Sequence, residues 1–154
     1  MPIYTNNTSM ANCMVGDNQV SKILLNDQII WENYIDGQYT GSKEFYSMQG
    51  TEQGTQYWSI DLGTLGLVTS VSISSSKSKY TLKARPTTSD SWTTLAYWGA
   101  DSGGEKTITN KTHFRYFQIV CEGASYMQWI DPAGFYYWAY ARGLVINYRY
   151  KKGS

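Results

Sequence analysis

The sequence has few of the residues from which metal centres and nucleophilic active sites are usually built. Its 154 residues include one histidine, His113, and two cysteines, Cys13 and Cys121. Two cysteines cannot form a disulfide framework, and two partly buried thiols are the preferred interpretation. A zinc site needs a His/Cys cluster, and a catalytic triad needs a histidine placed by a carboxylate. Because neither pattern is present, we predict that the protein is not an enzyme.

Charge is also scarce, and its two signs nearly cancel. Lys and Arg total 13 and Asp and Glu total 12, so the net charge is +1 and the charged fraction is 16%. Proteins that bind nucleic acid usually carry a basic face, so we predict no nucleic-acid partner. No charged region precedes an apolar run at the N-terminus, and no run has membrane-spanning length. We therefore expect synthesis in a cytoplasm and no membrane insertion.

Aromatic residues, in contrast, are abundant. The chain has 14 Tyr, six Trp and four Phe, which together make 16% of its residues. Its length fits one domain with a core of working size. Tyr and Trp join an apolar body to a polar tip, which suits both cores and contact surfaces. We expect some of these side chains in the core and others at a surface that meets a ligand or a partner.

Short segments of alternating polarity predict strands. In the central segment, residues 57–63, Ile60 and Leu62 share one face and a turn glycine follows. Comparable patterns occur at 67–74, at 144–151 and at 79–85, where Tyr80, Leu82 and Ala84 share one face. Residues 92–98, 106–109 and the nearly all-apolar segment 114–121 are also interpreted as strands. A turn is predicted at 64–66, and residues 35–56 are interpreted as loops. Turn-separated short strands without a convincing amphipathic helix predict an all-β fold, an antiparallel sandwich or barrel.

Residues 19–32 have the pattern of a β-hairpin. Asn26 and Asp27 stand between two alternating apolar pairs and suit a tight turn. An isolated hairpin is marginally stable in water, so this one must pack on the main body or on another chain. Either it is the first hairpin of the same domain or it is a docking element. We divide the chain into an N-terminal arm with a docking hairpin, residues 1–34, and a main domain, residues 35–154.

The hairpin resembles a segment of phage tail and baseplate proteins with the form V-x-K-I-Y-L-N-G-x-x-V-W. The matching residues are Val20, Lys22, Ile23, Leu25, Asn26 and Trp31. Leu24 replaces the usual aromatic residue and Asp27 the usual glycine. The resemblance implies a virion tail protein that has other tail proteins as partners.

Over residues 35–150 the order of features resembles the discoidin, or coagulation factor 5/8 C-type, family. The matching positions are Asp36-Gly37, Trp58, Asp61-Leu62-Gly63, Val68, Val71, Ile73, Tyr80, Leu82, Trp92 and the run from Arg115 to Ile119. Gln118 stands where the family often has a second arginine. The resemblance implies an antiparallel jelly-roll β-sandwich of about eight strands, a fold that includes carbohydrate-binding modules. It also implies that the Asp-Leu-Gly segment fixes a strand end and that Trp58 lies in the core.

Some relatives in that family hold a calcium ion near the Asp-Gly loop. Calcium takes six to eight oxygen ligands, and here Asp36, Glu44 and loop carbonyls are available. A plain turn is the preferred interpretation, so no cofactor is predicted and a structural calcium is the alternative.

Two aromatic segments are candidates for saccharide contact. A pyranose ring presents C–H groups on one face and hydroxyls at its rim, which suits an aromatic platform flanked by planar hydrogen-bonding groups. One segment, interpreted as a loop, supplies Trp129, Asp131, Tyr136, Tyr137, Trp138 and Arg142. The other supplies Tyr97, Trp98 and Asp101. For the first segment, a subunit interface and a core position are the alternatives.

Together these observations favour a bacteriophage tail or baseplate protein whose jelly-roll domain binds host cell-surface saccharide. Weak single sites gain from multiple copies, so a homo-oligomer is expected. One alternative is a purely structural decoration or cement module of a virion, with its aromatic residues buried between chains. Another is a cellular lectin-like carbohydrate-binding domain.

Overall fold

The structure is a computed structural model in which every regular element described is a β-strand. It describes residues 13–15, 18–20, 22–25, 28–32, 34–46, 55–76, 78–122, 126–130 and 134–151. Side chains are described at 34–45, 55–74, 78–122 and 139–151. Within these ranges there is no helix of the length and apolar character needed to cross a membrane.

Four short strands at the N-terminus form two hairpins. They are β1 (Cys13–Val15), β2 (Asn18–Val20), β3 (Lys22–Leu25) and β4 (Gln28–Glu32). β1 pairs with β2 and β3 with β4, both antiparallel, and Ile23 lies opposite Trp31. The predicted hairpin is therefore confirmed as strand pairing over 22–32, while its turn residues Asn26 and Asp27 lie outside the described residues. The pairing at 13–20 lies partly in a stretch predicted to be a polar arm.

Nine further strands form one antiparallel sheet. They are β5 (Tyr34–Tyr46), β6 (Gln56–Ile73), β7 (Ser75–Ser76), β8 (Tyr80–Arg85), β9 (Thr93–Trp98), β10 (Gly104–Thr107), β11 (His113–Cys121), β12 (Tyr126–Ile130) and β13 (Gly134–Lys151). The main path runs β12-β13-β6-β11-β8-β9. β5 and β7 pair with β13, and β10 pairs with β6.

The long strand β6 divides this sheet into two layers. Residues 56–61 pair with β11, whereas residues 67–72 pair with β13. We call 56–61 with β11, β8 and β9 the front layer, and 67–73 with β13 and β5 the back layer. The layers face each other, because the rings of Phe45 in β5 and Tyr80 in β8 lie 5.9 Å apart. The predicted all-β antiparallel sandwich is thus confirmed.

The core between the layers follows the period of two that strands impose. In β8, Tyr80, Leu82 and Ala84 are fully buried, as the sequence predicted, while Lys83 and Arg85 point the other way. In β11 the inward side chains are Phe117, Ile119 and Cys121. Trp58 is partly buried and packs against this core, close to the position implied by the family resemblance.

The predicted turn at 64–66 does not interrupt the strand, because β6 is continuous from Gln56 to Ile73. At this position the pairing of β6 with β11 shifts by three residues, between Asp61 and Gly66. Gly63 has φ of +75° and its N–H donates to Asp61 Oδ1 over 2.8 Å. Asp61 therefore fixes a local bend, as expected, but within a strand.

Two loop predictions are wrong. Residues 35–56 were interpreted as loops, yet 34–46 form β5, a 13-residue strand paired along most of its length with β13. Gly37 and Gly41 occupy half-buried positions where apolar side chains would mark the period of two. Pairing of the backbone with β13 holds this strand in the sheet. The aromatic segment was also interpreted as a loop, but 126–130 and 134–138 are paired strands. There Trp129 lies opposite Phe135 in the register.

Candidate functional site

The front layer turns one face away from the core, and that face is rich in aromatic and polar side chains. Strand alternation places on it every second residue of each strand. These residues are Tyr57, Ser59 and Asp61 of β6, Tyr116 and Gln118 of β11, Lys83 and Arg85 of β8, and Tyr97 of β9. We call this set the outer face.

The strand register brings these side chains into rows across the layer. Tyr116 lies opposite Asp61 on one side and Arg85 on the other. Directly opposed side chains in antiparallel strands have Cβ atoms about 4.5–5.5 Å apart, so the three side chains are neighbours. The next row consists of Ser59, Gln118 and Lys83. Residues distant in sequence are therefore gathered on one surface.

A cleft of about 210 Å³ opens on this surface beside the row of Asp61, Tyr116 and Arg85. Its lining comprises Ser59, Ile60, Asp61, Arg85, Trp92, Tyr116 and Phe117. Pockets that enclose drug-sized ligands have volumes of about 300–1,000 Å³. The cleft is smaller and suits one ring of a longer ligand whose remainder lies along the outer face.

The loop between β8 and β9 places Trp92 at the edge of the cleft. Asp90 organises this loop, because its Oδ2 accepts from the Thr87 N–H at 2.9 Å and from the Thr87 hydroxyl at 2.5 Å. The guanidinium carbon of Arg85 lies 4.3 Å from the Trp92 ring centroid. A cation over an aromatic face at this distance is attracted by the ring quadrupole. The loop and the strand therefore support each other at the cleft.

The opposite edge of the cleft is held by an ion pair. Arg115 Nε donates to Asp61 Oδ1 at 2.8 Å, and Arg115 Nη2 donates to Asp61 Oδ2 at 3.1 Å. The bond from Arg115, followed by the one from the Gly63 N–H, lowers the pKa of the Asp61 carboxyl. Arg115 also lies 5.1 Å from the ring centroid of Tyr116. Asp61 thus remains ionised and oriented at neutral pH.

This arrangement is suited to holding a polyhydroxylated ring. Trp92 and Tyr116 both line the cleft and are half-buried, so part of each side chain remains accessible. Around them stand a hydroxyl, a carboxylate and a guanidinium, from Ser59, Asp61 and Arg85. Such groups supply both the donors and the acceptors that sugar hydroxyls require. None of the described residues that line the cleft is a histidine or a cysteine.

Of the second predicted segment, the structure places Tyr97 on the outer face and Trp98 in the core. The exposed fraction is 48% for Tyr97 and 2% for Trp98. Trp98 Nε1 donates to the Gly104 carbonyl at 3.0 Å. The prediction that Trp98 contacts a ligand is wrong for this structure, because adjacent strand residues face opposite ways. Asp101 is exposed in the turn after β9, with φ of +56°, and does not line the cleft.

The first predicted segment is only partly described. Trp129, Tyr136, Tyr137 and Trp138 have strand backbones in β12 and β13, but their side chains lie outside the described set, and so does all of Asp131. Ligand contacts by these five residues remain predictions.

Arg142 of that segment is exposed in the back layer. It lies 4.2 Å from the Tyr140 ring centroid and 3.6 Å from Glu44 Oε1. It does not line the cleft, so the structure does not bring it together with Asp61 or Arg85.

The sequence did not predict the polar and aromatic residues of the cleft, Ser59, Asp61, Arg85, Trp92 and Tyr116, as site residues. All of them except Trp92 stand at outward positions of strands that the sequence did predict. The signal that would have found them is the order of strands, which places β11 between β6 and β8. That order depends on long-range pairing, and the sequence pattern of a single strand does not carry it.

The alternative of a structural calcium receives no support from the positions of its proposed ligands. Asp36 and Glu44 both lie in β5, eight residues and about 27 Å apart at the rise of an extended strand. Asp36 Oδ1 accepts from Arg149 Nε at 3.1 Å, and Glu44 pairs with Arg142. Within the described residues, no group of three potential metal-ligating side chains occurs.

His113 and Cys121 stand at opposite ends of β11. The His113 ring stacks on Tyr34, with 6.3 Å between the centroids. Cys121 is buried in the core, and burial raises the pKa of its thiol. A raised thiol pKa disfavours the nucleophilic thiolate.

Comparison with known proteins gives distant structural similarities. No family model matches the chain, and no curated protein sequence matches it significantly. A chitosan-binding module from a chitosanase/glucanase of Paenibacillus sp. IK-5 is similar with a TM-score of 0.41 and 16% identity, over 70% of this chain and 75% of that one. An F5/8 type C domain from Bacteroides fragilis is similar with a TM-score of 0.41 and 15% identity, over 70% of this chain and 73% of that one. At these scores the similarities decide neither family nor ligand, and the resemblance to discoidin domains remains a prediction.

Proposed function

We propose that the chain is a non-catalytic module that binds saccharide through the cleft on its outer face. The observation that carries this proposal is the placement of two half-buried aromatic rings, Trp92 and Tyr116, beside Ser59, Asp61 and Arg85. The rings offer apolar faces to the C–H groups of a sugar, and the polar groups reach its hydroxyls.

Single-site binding is expected to be weak. The cleft accommodates about one ring, and hydrogen bonds to sugar hydroxyls replace equally good bonds to water. A module of this kind functions best in several copies, because tethered sites bind a repeating polymer with avidity.

We further propose that this module belongs to a bacteriophage tail or baseplate and that its ligand is a host cell-surface glycan. The support is the tail-protein motif in residues 20–31, of which Lys22, Ile23, Leu25 and Trp31 lie on the paired strands β3 and β4. In this proposal the hairpin docks on other virion tail proteins, and copies of the chain display the outer face outwards. Immunogold labelling of the particles that carry the gene for this chain tests the location. Label at the tail is expected, and label confined to host cells would contradict it.

A panel of immobilised oligosaccharides and host cell-wall polysaccharide tests saccharide binding. The variant with Trp92→Ala and Tyr116→Ala should lose binding that the wild type shows. Tyr140→Ala is the matched control, because Tyr140 also stacks on an arginine but lies in the back layer. Equal binding by the cleft variant and the control would refute the cleft as the site.

A structural role in the virion is the second candidate, and the exposure of two tyrosines favours it. Tyr57 and Tyr97 are 59% and 48% exposed at opposite edges of the outer face. Tyrosine is frequent in protein interfaces, where its ring is covered. Sedimentation velocity of the wild type and of the variant with Tyr57→Ser and Tyr97→Ser separates the two candidates. Assembly that depends on these tyrosines, without saccharide binding, would favour the structural role.

A further inference from the structure

The four arginines of the chain differ in whether a carboxylate pairs with the guanidinium group. Arg115 pairs with Asp61, Arg142 with Glu44 and Arg149 with Asp36. Arg85 alone has no carboxylate within ion-pair distance among the described residues. Its one hydrogen bond there is a long one of 3.5 Å to the Asp90 carbonyl. Its Nε is buried and has no partner in the described part of the chain.

Three of these arginines also stack on an aromatic ring, which makes them comparable. Arg142 lies over Tyr140 and takes the Glu44 carboxylate, while Arg115 lies over Tyr116 and takes the Asp61 carboxylate. Arg85 over Trp92 has the same arrangement without the anion. This third pair is the one whose arginine and aromatic ring both line the cleft. Arg85 is thus the stacked arginine to which no carboxylate of the described residues is paired.

The charges around the cleft agree with an anionic ligand. Lys83 lies two residues before Arg85 on the same face of β8, and no carboxylate of the described residues pairs with it. The negative charge of Asp61 is matched by Arg115. Asp90 directs its carboxylate to Thr87. Lys83, Arg85 and Arg115 against Asp61 and Asp90 give this part of the surface a net charge of +1, and neither Lys83 nor Arg85 is paired with a carboxylate of the described residues.

We propose that the saccharide taken by this cleft is anionic and carries carboxylate or phosphate groups that Arg85 and Lys83 bind. This inference rests on the proposed saccharide-binding function. A guanidinium is planar and matches two oxygens of a carboxylate or phosphate with parallel N–H donors. Because Trp92 already fixes its plane, less side-chain freedom is lost when the anion binds.

Matched polymers separate charge from sugar recognition. The probes are polygalacturonate, its fully methyl-esterified form, poly(glycerol phosphate) and single-stranded oligothymidylate. The first two share one backbone and differ in charge. The third carries phosphate on a glycerol chain, and the fourth is a polyanion whose internal deoxyribose rings have no free hydroxyl. Calorimetry with the full chain at about 0.05 M and about 0.5 M salt measures each affinity, because salt screens exposed charges.

We expect polygalacturonate, poly(glycerol phosphate) or both to bind about tenfold more tightly than methyl-esterified polygalacturonate. This difference in affinity should be smaller at high salt. Arg85→Gln should lose about tenfold in that affinity, because a hydrogen bond to a charged group is lost. Arg85→Lys keeps the positive charge, so it should lose less of that affinity than Arg85→Gln does. Arg149→Gln is the control and should bind as the wild type does, because Arg149 lies in the back layer and pairs with Asp36. Thermal unfolding checks that all variants are folded.

Two results would overturn the inference while the proposed function stands. The methyl ester could bind as tightly as the acid, or neutral sugars of the wider panel could bind when neither anionic polymer does. Oligothymidylate binding as tight as that of the best polymer would also overturn it, because charge alone would then be recognised. Absence of binding to every saccharide, neutral or anionic, would defeat the proposed function together with the inference.

Discussion

The guanidinium of Arg85 lies 4.3 Å above the indole ring of Trp92, so the last residue of β8 and a residue of the following loop form one surface. The strand fixes the root of the arginine, and Asp90 fixes the loop that carries the indole. The cleft therefore belongs to the sandwich scaffold and not to an independent loop.

The first prediction concerns the coupling between Arg85 and Trp92 in ligand binding. Arg85→Gln and Trp92→Ala should each weaken ligand binding, and the double variant should lose less than the two losses added together. Groups that act through one contact are non-additive, and the coupling at a partly exposed cation–aromatic pair is about 0.5–1 kcal/mol. A double-mutant cycle by calorimetry measures it. Strictly additive losses would show that the two side chains bind independently.

Trp98 and its neighbour Tyr97 provide a prediction about stability. Trp98→Ala should lower the free energy of unfolding by about 3–5 kcal/mol, because it removes a large side chain from the core. Tyr97→Ala is the adjacent control, and as an outward residue it should change that free energy by about 1 kcal/mol or less. Urea unfolding followed by circular dichroism gives both values. Similar losses for the two variants would contradict the opposite orientations of these side chains.

The ion pair of Asp61 and Arg115 predicts a dependence of stability on pH. The pKa of Asp61 in the folded chain is lowered from its ordinary value of 3.8. Its contribution is therefore fully present above the unfolded-state pKa and is lost as pH falls through the lower folded-state value. Asp61→Asn keeps an acceptor for the Gly63 N–H but removes the charge.

Denaturant titrations of wild type and Asp61→Asn across the acid range measure this contribution. The stability difference should be small, because both side chains are well exposed, and it should be constant near neutrality. It should disappear as the carboxyl is protonated. A difference that grows towards low pH would mean that the sign of the pKa shift is wrong.

Replacing either of two glycines of β6 by alanine should lower the stability of the fold, for a different reason in each case. A Cβ at Gly66 would come within 2.6 Å of the Tyr148 ring, so Gly66→Ala should cost about 1–3 kcal/mol through overpacking. A Cβ at Gly63 meets no atom within 4 Å, but its φ of +75° makes alanine strained by about 1–2 kcal/mol.

The rescue of each variant distinguishes these causes. Gly63→Asn should recover part of the loss, because asparagine tolerates positive φ. Combining Gly66→Ala with Tyr148→Ala should cost less than the two separate losses added together, since the clash disappears with the ring. Thermal unfolding of the four single variants and the double variant measures both effects. If Gly63→Asn is no more stable than Gly63→Ala, the bend at Gly63 is not what the structure indicates.

Local patterns predicted the elements well wherever apolar residues alternate. Tyr80, Leu82 and Ala84 were placed on one face of a strand, and the structure buries all three. The strand over 34–46 was missed because glycines occupy two of its half-buried positions, 37 and 41, where apolar side chains would have marked the period of two. Its stability depends on pairing with β13, which begins almost a hundred residues later.

The site was harder to predict than the fold, for a related reason. Tyr97 and Trp98 are equally aromatic, and only the direction of alternation decides that one is outward and the other is buried. Arg85, Tyr116 and Asp61 come from three different strands. Their meeting depends on a strand order that no single segment encodes.

Amide and indole NMR spectra of the ¹⁵N-labelled chain, titrated with a saccharide that binds, test most directly whether the cleft is the binding site. The proposed function predicts that the largest shift changes fall on the indole of Trp92 and the amides of residues 59–61, 85 and 116–118. Shift changes confined to the back layer around Tyr140 and Arg142, with the Trp92 indole unmoved, would contradict it.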